Sequence, residues 1–155
     1  MKFDHLTAIV ADADAAADAL RRLLGAEPAA QARLPGMSIR SFRVGDAELH
    51  VNAPDGPGPV DDHLRRHGAS FHHIALRVED LDAARRDLTA RGFAFLGDPV
   101  ATAPGLREVF LDPATTGGML IQLVERLSST EEPYDVDGGA VARLAAQGEG
   151  GGKKG

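Results

Sequence analysis

Cysteine is absent from the chain. That absence excludes disulfide cross-links and thiolate chemistry, and it means that any bound metal ion must be held by nitrogen and oxygen donors. Long apolar runs are missing too: nothing approaches the ~18 consecutive apolar residues of a membrane span. The opening Met1-Lys2-Phe3-Asp4-His5 carries neither the apolar stretch nor the small-residue cleavage site of a secretory leader. A cytoplasmic protein that does not enter membranes is expected. Positive charge is in deficit, with 17 Lys and Arg against 23 Asp and Glu and a net charge of −6. No broad basic surface is left to match a phosphate backbone, so nucleic acid is not an expected partner. A chain of 155 residues suffices for one domain that buries roughly 68–70% of its unfolded surface without external staples.

What the chain does have is an internal repeat. Phe3-Asp4-His5-Leu6-Thr7-Ala8-Ile9-Val10-Ala11-Asp12 is echoed by Phe71-His72-His73-Ile74-Ala75-Leu76-Arg77-Val78-Glu79-Asp80, with the histidines and the closing aspartates each 68 residues apart. In both copies a histidine opens an apolar run of strand character and an aspartate then caps a helical pattern, as expected of a duplicated unit. Alternation places His5, Thr7 and Ile9 on one face of the first strand and Leu6, Ala8 and Val10 on the other. The helix that follows has its stripe at Ala13, Ala16, Leu20, Leu23 and Leu24 and stops at Gly25.

Strands are expected over 37–44 and 47–52, joined at the Gly45-Asp46 turn. A linker rich in Pro and Gly follows, with a short polar helix near 60–67. The second half repeats the course: a strand over 73–78, a helix with Leu81, Ala84 and Leu88 inward, a short strand over 93–96, then a hairpin of 107–111 and 119–124. The organisation read from this is module one at 1–54, a linker at 55–70, module two at 71–127 and a mobile tail at 128–155.

Matching the halves also pairs His50 with Gln122, 72 residues apart. A pseudo-twofold relation then brings His5, His50, His73 and Gln122 together on the less apolar side of the sheet. Three imidazoles and one amide are a donor set for one divalent ion of Zn, Co, Ni, Mn or Fe. His63, His67 and His72 have no such matches and read as surface or supporting residues, with His72 turned away from His73 if the strand is regular.

On these modules, and on the segments HHIALRVED, GGMLIQLVER and LHVNAP, the sequence resembles the vicinal oxygen chelate superfamily over about residues 3–126, most closely its methylmalonyl-CoA epimerases. The resemblance implies an α+β fold of two βαβββ modules forming a cupped mixed sheet around a metal site. It implies metal ligands at His5, His50, His73 and Gln122, a small-molecule substrate such as an acyl-CoA, and a homodimer. The implied activity is that of a metal-dependent isomerase or epimerase stabilising an enolate. A glyoxalase-I-like lyase and a non-catalytic, resistance-type binding protein are the alternatives.

The chain departs from that pattern at Gln122, where such relatives carry a glutamate that is both ligand and base, and in residues 37–44, which hold no acid. An amide cannot take up a proton near neutral pH. Glu48, two residues from His50 and about 7 Å along the same strand face, becomes the candidate catalytic acid or base. Metal-bound hydroxide and Glu108, whose facing the sequence leaves open, are the other candidates. Arg77 and Arg107 are the candidate anchors for an anionic substrate group.

Overall fold

The computed structural model describes residues 1–103 and 105–126. In each half an N-capping aspartate turns a strand into a helix. Asp12 accepts hydrogen bonds from the backbone N–H groups of Asp14 and Ala15, and Asp80 accepts one from Ala83. Strand β1 (Lys2–Ile9) thus leads into helix α1 (Ala13–Leu24), which Gly25 ends in the left-handed conformation (φ 65°). Strands β2 (Ala30–Leu34), β3 (Gly36–Val44) and β4 (Ala47–Asp55) complete the first module. A short helix α2 (Pro59–His67), with Pro59 at its first turn, bridges to β5 (Ser70–Val78). Helix α3 (Leu81–Ala90) and strands β6 (Val100–Ala103), β7 (Leu106–Phe110) and β8 (Ile121–Arg126) repeat the order βαβββ.

The eight strands form one curled sheet in the order β2-β3-β4-β1-β5-β8-β7-β6. β1 and β5 pair antiparallel at its centre, each flanked by a parallel neighbour, β4 and β8 respectively. The order reads the same from either edge once module one is exchanged for module two, which is the pseudo-twofold relation expected from the repeat. The convex face carries the larger apolar core. In module two Val78, Leu81, Leu88, Val109, Leu111 and Leu123 form one buried cluster. In module one α1 lies against β3 and β4, with Ala13 and Ala17 buried. On the concave side Ala75, Leu106 and Val124 fill the space along β5, β7 and β8.

Three local readings change. Leu23, assigned to the buried stripe of α1, is 77% exposed, and Ala17 takes an inward position instead. Strand β2 was not marked by its sequence: Ala-Gln-Ala-Arg-Leu has weak β-propensity and is held at the sheet edge by its ladder to β3. Residues 93–96 contribute only an isolated bridge between Phe95 and Leu111, while the outer strand of module two is β6, four residues further on. The tail expected from residue 128 lies outside the described residues. Among the described residues no helix is long and apolar enough to cross a membrane.

Leu123 is 1% exposed at the centre of the convex core. Replacing it with alanine removes buried methyl groups and leaves a cavity, so Leu123→Ala is expected to lose about 2–5 kcal/mol of stability. Urea denaturation, compared with wild type at unchanged slope, measures this.

Candidate functional site

The concave face of the sheet holds a cup of about 340 Å³ lined by His5, His50, His73, Glu108, Phe110 and Gln122 among others, with Pro59 and Val60 of α2 at its rim. Strand register explains the convergence. Thr7 of β1 sits opposite both His50 of β4 and His73 of β5, and Ala75 of β5 sits opposite His5 and Gln122. Directly opposed residues point to the same side of a sheet, so the four residues drawn from the two modules share one face.

Two β-bulges refine this arrangement. The β1–β5 ladder passes from Phe3 to His5 and from His73 to Phe71, leaving Asp4 and His72 without partners. A bulge re-aims a side chain, and each of these side chains meets the histidine that follows it: Asp4 Oδ1 accepts from His5 Nδ1 at 2.9 Å, and His72 Nδ1 lies 2.8 Å from His73 Nδ1. The regular alternation that turned His72 away from His73 is therefore broken at that residue.

With their Nδ1 atoms engaged, His5 and His73 face each other through Nε2 atoms 3.4 Å apart. Two imidazole nitrogens at about 2.0–2.1 Å from a tetrahedral ion stand about 3.4 Å from each other, so this pair has the spacing of two ligands. Gln122, beside His73 and Glu108, has a buried Oε1 without a hydrogen-bond partner. His50 stacks flat on His5, with ring centres 4.1 Å apart and planes 12° apart, and its Nε2 lies 2.8 Å from Glu48 Oε2. Among the described residues no three His, Asp or Glu donors are set around one point. Two imidazole nitrogens at ligand spacing and an unpartnered amide oxygen on the same face are donor types that fit a divalent ion.

Glu108, left unoriented by the sequence, is 7% exposed, lines the cup and accepts a hydrogen bond from Thr102 Oγ1 at 3.1 Å. Burial pushes its carboxyl up to about 7, against the opposing effects of Thr102, Gln122 and Arg126. Glu48 behaves in the opposite way: its bond with His50 outweighs partial burial and holds it below the usual glutamate value. Burial lowers His5 and His73, keeping both imidazoles neutral and suited to ligation.

The two arginines do not reach the cup. Arg77 pairs with Asp4 through Nε at 2.7 Å, and Arg107 is shared between Asp82 and Glu125. Neither lines the cavity. The sequence offered both as anchors for an anionic substrate group, and their actual partners are remote in the chain.

Of the buried polar side-chain atoms that have no partner, Thr7 Oγ1, Asn52 Oδ1 and Gln122 Oε1 belong to residues lining the cup, and Ser41 Oγ stands opposite His50. Unpaired buried polar groups cost stability. Their concentration on one face marks a surface shaped for a polar ligand.

The sequence model of the Glyoxalase/Bleomycin resistance protein/Dioxygenase superfamily matches residues 4–110. The chain belongs to this superfamily. Within it, the chain is 33% identical over 128 residues to the ethylmalonyl-CoA/methylmalonyl-CoA epimerase of Cereibacter sphaeroides, an alignment covering 79% of this chain and 96% of that relative. The methylmalonyl-CoA epimerase of Mycobacterium tuberculosis superposes with a TM-score of 0.74 at 28% identity, covering 82% of this chain and 89% of that one. A variant of the Streptomyces coelicolor methylmalonyl-CoA epimerase, solved in complex with 2-nitronate-propionyl-CoA, matches with a TM-score of 0.74 at 25% identity, covering 83% and 99%.

Because the folded state raises the pKa of Glu108 from 4.5 to about 7, it binds that proton more tightly than the unfolded chain. The stabilisation is complete below the unfolded value and is lost as pH rises through the folded one. In metal-free protein, the stability advantage of wild type over Glu108→Gln is therefore expected to shrink between pH 4.5 and 7. Thermal unfolding of both proteins across that range reads this out, and a constant difference would contradict it.

Proposed function

We propose that this superfamily member is a divalent-metal-dependent epimerase-like enzyme that stabilises the enolate of an acyl-CoA or related dicarbonyl substrate. The observation that carries the reading is the pair of Nε2 atoms of His5 and His73 at ligand spacing, beside the unpartnered Oε1 of Gln122. Similarity to epimerases acting on methylmalonyl-CoA supports the substrate class. His5, His73, Gln122 and His50 would hold the ion, and the ion supplies electrophilic stabilisation of the substrate oxygens and of the negative charge that develops on them.

With Gln122 in the place of a glutamate, proton transfer falls to acids elsewhere in the cup wall. Glu108 on β7 lines the cavity from module two. Glu48 on β4, bonded to His50 in module one, serves the opposite side once that bond opens toward the substrate. Epimerisation needs a proton removed from one face of a carbon and returned to the other, and acids from opposite modules suit that requirement. Thr7 and Asn52 offer polar atoms to orient the substrate between them.

Metal-loaded protein incubated with methylmalonyl-CoA in deuterium oxide is expected to incorporate deuterium at the α-carbon. Absence of exchange with every divalent ion tried removes the epimerase reading. If Glu108 exchanges protons with substrate, Glu108→Gln lowers the exchange rate by about 10²–10⁴-fold, with metal content unchanged.

A further inference from the structure

We propose that His72 is the positioning residue of His73, doing in the second module what Asp4 does in the first: it takes the Nδ1 proton of the histidine that follows, so that Nε2 faces the cup as a bare lone pair. This inference rests on the metal reading above and adds a residue to it.

Three observations converge. Asp4 and His72 occupy matched places in the repeat, each one residue before the matched histidines. Both are the residues skipped by the β1–β5 ladder, so the same irregularity has been kept on both sides of the pseudo-twofold axis. Both side chains reach the same atom of the next residue, Nδ1, at 2.9 and 2.8 Å. A ligating histidine commonly gives its second ring N–H to an acceptor that fixes tautomer and ring orientation. At His5 that acceptor is a carboxylate. At His73 no carboxylate among the described residues is bonded to Nδ1, and the contact present is an imidazole.

A hydrogen bond between the Nδ1 atoms of two neutral imidazoles contains one proton. With the proton on His73, the Nε2 of His73 is a lone pair and His72 carries its own proton on Nε2. With the proton on His72, the Nε2 of His73 is protonated and cannot ligate. Ligation by His73 therefore dictates the state of His72.

The surroundings hold His72 in place for this task. Its ring stands perpendicular to that of His63, with centres 4.7 Å apart. His63 Nε2 lies 3.0 Å from Ser70 Oγ, which itself donates to the carbonyl of Gly68. Ser70 therefore accepts from His63, and the imidazole behind His72 is anchored in turn. His67 packs on His63 at 4.8 Å, so all six histidines of the chain form one continuous series from α2 to the cup.

The test uses full-length protein without a histidine tag, zinc as the probe, and two variants. His72→Phe removes the acceptor, and His72→Asp copies the residue that serves His5 from the matched position. Competition with a chromophoric chelator is expected to show zinc affinity falling about 10–100-fold in His72→Phe and retained in His72→Asp. Nitrogen-15 NMR of the zinc-loaded wild type is expected to place a proton on Nδ1 of His73. Equal affinity for wild type and His72→Phe, an equal loss in both variants while the metal-free proteins keep wild-type melting temperatures, or an unprotonated Nδ1 on His73 overturns the assignment to His72. Failure of wild type to take up zinc, cobalt, nickel or manganese overturns the metal reading itself, and this inference with it.

Discussion

The cup depends on the central antiparallel pairing of β1 with β5, and within it on the buried carboxylate of Asp4. That side chain is 1% exposed and accepts from His5, Arg77 and Arg126. Burial alone would raise its pKa, but the bonds from His5 and the two arginines, with the charge of Arg126, hold it well below the ordinary value of 3.8. A buried charge is tolerable only when paired and fully hydrogen-bonded. Arg77 comes from β5 and Arg126 from β8, so the network ties the first strand to the second module. It also fixes the ring of His5, and through stacking and facing contacts His5 sets the places of His50 and His73.

Electrostatically the cup is uneven. His5 has an anion behind it and His73 a neutral ring, so His5 is the more strongly polarised donor of the two. Glu108 is kept protonated by its burial up to about pH 7, whereas Glu48 is kept ionised by His50. Two carboxyl groups, one lining the cup from module two and one behind His50 in module one, thus rest in different protonation states near neutral pH.

The duplication was legible because it is a matter of spacing: two histidines and two capping aspartates at a common offset specify two strands, two helices and their symmetry. The convergence of His5, His50, His73 and Gln122 on one face followed from that repeat, from the nearby 72-residue offset between His50 and Gln122, and from strand alternation. What the sequence did not reveal depends on irregularity or on remote partners. Bulges leave no local signature, so His72 was read as pointing away from His73 when it is bonded to it. Glu108 lies in a strand whose facing is fixed by its ladders to β6 and β8. Arg77 and Arg107 were candidate substrate anchors because Asp4 and Glu125, which pair with them, are distant in sequence. Strand β2 has the composition of a loop and is a strand because β3 offers it a ladder.

The symmetry of the sheet has a further consequence. Neither βαβββ unit can enclose the cup alone, because its innermost strand would be an open edge and half of the donors would be missing. Two separate copies of one unit would have to meet edge to edge, and every change in one would then be repeated in the other. Covalent fusion removes that obligation. Aspartate can stand behind one imidazole and histidine behind its counterpart, and Glu108 can be buried in one wall while Ile39 takes the matching ladder position in the other, so a cavity built on a twofold plan can take a shape that has no symmetry.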